Sequence, residues 1–114
     1  MTPAEWDAMP APLRVYADWL AEHGLPAPTV RWVVRDENGW EINDSLIFVS
    51  SGEGSVFKTE RGARLRKERA EAAHEVYCVR WFEEELSGRP VHHEIMLKRL
   101  ATARVVRVYQ VAVP

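Results

Sequence analysis

Leu13, Tyr16, Ala17 and Leu20 recur at i, i+3, i+4 and i+7, so they line one side of a helix. Arg14, Asp18 and Glu22 recur at i, i+4 and i+8 and line the opposite, polar side. Pro12 suits the first helical position, and Gly24 with Pro26 just beyond supplies the stop. Residues 3–9 read as a helical turn or two, closed by Met9-Pro10-Ala11-Pro12.

Residues 29–35 carry two patterns at once. Val30, Trp32 and Val34 alternate as a strand would, and Asn38-Gly39 is the dipeptide of a tight hairpin. A two-residue turn there pairs Arg35 with Ile42 and sets Val34 opposite Asn43, so the apolar faces do not match. The helical alternative buries Val30, Val33 and Val34 and uses Asn38-Gly39 as its C-cap. The mismatch favours helix.

Further on, residues 45–50 and 55–59 are β-type runs separated by Ser51-Gly52-Glu53-Gly54, which predicts a hairpin over 45–59. From Arg61 to Leu86 there is no proline, and Ala72, Ala73, Val76, Val79, Phe82 and Leu86 share one stripe, which predicts a long helix buried on that side. Residues 91–102 fit helix or strand. The valines of 103–113 predict a terminal strand, a hazard if left as an exposed edge. Together these elements predict an α+β fold: N-terminal helices and one long central helix packed on a small, mostly antiparallel sheet, in a single domain over 1–114.

Composition adds little to this picture and charge adds more. At 114 residues and 46% hydrophobic, the chain has the size and apolar content of one folded domain. No apolar run approaches a membrane span, the acidic start lacks the pattern of a secretory signal, and the single Cys78 forms no internal disulfide. A cytoplasmic protein that does not enter membranes is expected. Net charge is −2, but residues 1–57 carry −6 and residues 58–114 carry +4. Mutual neutralisation within one fold accounts for such a split most simply.

Residues Tyr16-Ala17-Asp18-Trp19-Leu20-Ala21-Glu22-His23-Gly24, followed by Pro26, resemble the hallmark of the repeat-companion domain of planctomycetes and myxobacteria. The resemblance covers about residues 13–31, with Val30-Arg31 in place of the Ile-Arg pair of that family's second short helix. Ala21 and Leu25 replace residues that are usually acidic in the family. Members often sit beside repeat arrays, so the resemblance implies interaction and no transferable activity. Physically the hallmark reads as scaffold, with Trp19 beside the apolar side and Asp18 one turn from Arg14. Asp18 and Trp19 are nevertheless candidate partner-binding residues.

Candidate chemistry is sparse. His92 and Glu94 have the spacing of ligands on a strand but lack a third ligand, and His74 and Cys78 are spaced to meet on a helix but lack a third catalytic group. The glycines of 51–55 come without the lysine of a phosphate loop. No catalytic residue, metal site or cofactor is expected. The basic run holding Arg64, Arg66, Lys67 and Arg69 opens the predicted long helix, whose far end carries Glu83-Glu84-Glu85. The helix macrodipole prefers the reverse arrangement, so either the acidic half of the chain or an external anion must compensate. The expected function is a non-enzymatic protein-interaction or accessory module, whose partner is another protein or a second copy of this chain. The alternative is a nucleic-acid-binding accessory protein using residues 61–69.

Overall fold

A computed structural model describes residues 2–84 and 91–111, with backbone alone over 77–84 and 91–92. The element order is α1 (Pro3–Ala8), α2 (Ala11–Glu22), β1 (Thr29–Arg35), β2 (Glu41–Ile42), β3 (Phe48–Val49), α3 (Glu60–Glu84), α4 (Val91–Thr102) and β4 (Arg104–Gln110). The fold is α+β, with one four-stranded sheet in the order β3-β2-β1-β4. Two compact units are formed, one from the described residues of Met1–Val30 and Val108–Pro114, the other from Arg31–Arg107.

In the first unit the helix ends are set by local chemistry. The Thr2 hydroxyl accepts from the Glu5 amide and the Thr2 amide donates to the Glu5 carboxylate, a reciprocal cap that starts α1. At the end of α2, Gly24 takes φ +67°, the Leu25 amide donates to the Leu20 carbonyl and the Gly24 amide to that of Ala21. That pair of bonds stops the helix where the glycine predicts it. Met9, Ala17 and Leu20 are buried.

The second unit corrects three expectations. First, residues 29–35 form strand β1 instead of a helix. The turn after β1 has three residues, Glu37-Asn38-Gly39, with the Asp36 amide donating to the Trp40 carbonyl and the Gly39 amide to that of Asp36. Arg35 therefore stands opposite Glu41, and continuing that register sets buried Val34 opposite buried Ile42. A single extra loop residue changes the parity of the pairing and removes the mismatch on which the helical reading rested.

Second, 45–50 and 55–59 do not pair with each other. Phe48 and Val49 pair back with Ile42 and Glu41 across a second three-residue turn, and Phe57 bridges Trp32 through two backbone bonds of 2.8 Å. Gly54 is required on the way, because a Cβ there would collide with the Glu41 Cβ and sit 2.9 Å from the Ile42 carbonyl oxygen.

Third, α3 exists as predicted but is turned around. Ala63, Ala70 and His74 are buried, while Ala72 is exposed and Val76 is 64% exposed. The small side chains face inward and share one core with Val34, Ile42 and Phe48 of the sheet and with Met96 and Leu100 of α4, the helix against which α3 packs. The expected Val79, Phe82 and Leu86 part of the stripe lies outside the described side chains. Residues 91–102 resolve as helix α4, and the terminal strand forms as β4. No helix among the described residues is long and apolar enough to cross a membrane.

Candidate functional site

Asp18 and Trp19 belong to the first unit. Trp19 is half-buried and stacks on Tyr16 at 5.7 Å and on His23 at 4.0 Å between ring centroids. His23 Nδ1–H donates to the Trp19 carbonyl at 2.8 Å, which fixes the imidazole under the indole at the C-terminus of α2. The aromatic column uses Trp19 as packing. Asp18 is exposed and makes no ion pair with Arg14 among the described residues, although the two are one turn apart.

The basic residues belong to the second unit and divide by side of the helix. Arg66 faces inward: Nη1 donates to Asp44 Oδ1 at 2.9 Å and to the Asn43 carbonyl at 3.3 Å, with the guanidinium 5.1 Å from the Phe57 ring centroid. Ser55 Oγ–H donates to the same Asp44 oxygen at 2.6 Å. The Ser55 hydroxyl first, and Arg66 second, hold the Asp44 carboxyl below its ordinary value. Here the acidic half of the chain compensates the basic one, as one of the two expected solutions requires. Arg64 pairs with Glu60 and Lys67 with Glu71 along the helix itself. Arg61 and Arg69 are exposed and make no ion pair among the described residues.

Arg66 and His74 both fasten the turn between β2 and β3. In that turn Asn43 Oδ1 accepts from the Ser45 and Ile47 amides, and Leu46 adopts φ +63°. The Leu46 carbonyl accepts from His74 Nε2–H at 2.8 Å. The other nitrogen of that ring, Nδ1, lies 2.8 Å from Nδ1 of His93 on α4, with both rings buried.

Sequence reasoning missed this pair. The spacing offers His74 a partner on its own helix, at Cys78, and pairs His92 with Glu94 without using His93, whereas the contact spans 19 residues and depends on α3 packing against α4. The expected Cys78 partner of His74 and the expected His92 lie outside the described side chains. No group of three His, Cys, Asp or Glu suited to a metal occurs among the described residues.

A second polar cluster was also missed. Asp36 Oδ1 accepts from the Asn38 and Trp40 amides, while its buried Oδ2 makes no hydrogen bond and sits 4.0 Å from Arg99 Nε. Arg99 lies over Trp40 at 5.4 Å and Phe48 at 6.0 Å. Glu41, 2% exposed, accepts from Arg35 at 2.6 Å and from the Gly52 amide at 2.8 Å. These carboxylates satisfy turn and loop backbone in the interior, so they act as scaffold.

No family model, curated protein or solved structure matches this chain. Val30 and Arg31, which the resemblance to the repeat-companion domain sets in a second short helix, lie instead in strand β1.

Proposed function

We propose that this chain is a non-enzymatic protein-interaction module whose docking surface is the outer face of α3, and that the surface takes a second copy of the chain in antiparallel orientation. The observation that carries this reading is the inversion of α3. Leu65 and Val76 are 52% and 64% exposed, and with exposed Ala72 they form a stripe at i, i+7 and i+11 directly opposite the buried alanines.

Charge supports the second copy and the antiparallel orientation. Ala72 lies in the middle of this stripe, between Leu65 and Val76. A twofold axis there sets Arg61 level with Glu83 of the other copy by residue count, and Leu65 level with Val79. The basic start of each helix then meets the acidic end of its neighbour. Opposed macrodipoles relieve the unfavourable placement of charge along a single helix.

Sedimentation equilibrium over a range of concentrations tests the reading. A reversible dimer that becomes monomeric in Leu65→Glu and in Val76→Glu, with the helical circular dichroism signal unchanged, is the expected result. A strictly monomeric wild type overturns it. In a parallel gel-shift titration, steeply salt-dependent binding of generic nucleic acid that is lost in Arg61→Glu/Arg69→Glu would favour a nucleic-acid role instead.

A further inference from the structure

His74 and His93 face each other with their Nδ1 atoms 2.8 Å apart, and the remaining nitrogen of His74 is already committed to the Leu46 carbonyl. A carbonyl only accepts, so His74 carries its proton on Nε2 and offers a lone pair at Nδ1. His93 must therefore donate from Nδ1. We infer that the His74–His93 contact is a proton-gated latch between α3 and α4, closed while the two rings together hold no more than one extra proton and open when they hold two.

The count follows from the geometry. With both rings neutral, one N–H points at one lone pair. One added proton leaves a single hydrogen between the two Nδ1 atoms and makes their bond charge-assisted. A second added proton places an N–H on each Nδ1, and two donors cannot share a 2.8 Å contact. Both rings are buried, so the two like charges are poorly screened. His93 is also the third residue of α4, where the helix macrodipole opposes a cation. The first turn of α4 is thus the part that releases.

Among the described residues, the charged groups within a turn of the two rings are Glu71, paired with Lys67, and Glu75 on α3 and Glu94 on α4, with Asp44, paired with Arg66, in the turn that carries Leu46. The facing nitrogens dictate that the latch opens when the second proton arrives. In the unfolded chain nothing opposes double protonation, so acid favours opening.

The test compares wild type with His93→Gln, whose amide still donates to His74 but does not titrate. Between about pH 7.5 and about pH 5, the range in which imidazoles charge, the denaturation midpoint of wild type is expected to fall more steeply than that of the variant, in which only one imidazole of the pair remains. Amide exchange of residues 94–97, corrected for its intrinsic pH dependence, is expected to become about tenfold faster over the same interval in wild type alone. Equal pH slopes in the two proteins overturn the latch. Should the variant not fold, unchanged protection of residues 94–97 in wild type across the interval overturns it as well. Zinc added at neutral pH provides a further arm: stabilisation of wild type alone would assign the two rings to a metal and also overturn the latch.

Discussion

The second unit contains the same turn twice. In the first, Asp36 Oδ1 accepts from the amides two and four residues on, and the residue before the strand resumes is Gly39 at φ +83°. In the second, Asn43 Oδ1 accepts from the amides two and four residues on, and the equivalent position is Leu46 at φ +63°. Glycine adopts this conformation without steric cost, whereas a leucine is strained there by about 1–2 kcal/mol. The difference lies in what surrounds each turn. Leu46 packs against the core and its carbonyl receives the His74 imidazole, while nearby Asp44 holds Arg66. The first turn is specified by its own residues. The second is imposed by the helix beneath it.

The comparison breaks most completely at His74. His74→Leu leaves the Leu46 carbonyl and the His93 ring without their buried partner, with an expected loss of about 3 kcal/mol in a urea denaturation series. Gly39→Val places a β-branched residue at φ +83° in the first turn and is expected to cost about 2 kcal/mol in the same measurement.

Arg66→Gln removes the pair with Asp44 and part of the packing on Phe57, and a smaller fall in the denaturation midpoint is expected, reduced further in high salt. Leu46→Asn sharpens the comparison with the smallest change. Relief of the strained conformation and loss of apolar contact are each about 1 kcal/mol and opposite in sign, so the denaturation midpoint should move little.

The pair at Asp44 also has a pH signature distinct from that of the histidines. Its carboxyl is held below the ordinary aspartate value of 3.8 by the Ser55 hydroxyl and by Arg66. A carboxyl lowered by folding contributes stability that is fully present above its unfolded value and is lost as pH falls through the folded one. Acid unfolding below about pH 4 is therefore expected to be shallower in Asp44→Asn than in wild type.

How much of this could be read from the chain follows the same division. The stop at Gly24, the long helix from Glu60 and the strand at 104–110 are local, and their residues announce them. The turn at 37–39 was half legible: Asn38-Gly39 announced a hairpin, but nothing in the dipeptide distinguishes two loop residues from three, and that count decides which residue of β2 stands opposite Val34. The turn at 44–46 was illegible, since no glycine occupies its left-handed position and the imidazole that holds it comes from 28 residues away. Hydrophobicity also misdirected the reading of α3, where valine outranks alanine on any transfer scale, yet Ala63 and Ala70 fill the core and Val76 faces outward. Among the site residues, Arg66 was flagged for its charge, and only its partner Asp44 reveals it as a fastening.

The claim at the centre of this account is that His74 joins the strained turn to α4 through its two ring nitrogens. Long-range nitrogen–proton correlation spectra of the imidazoles at neutral pH read it directly. A proton on Nε2 of His74 and on Nδ1 of His93 is expected, whereas a His74 ring protonated on Nδ1 alone would rule out the link through both nitrogens.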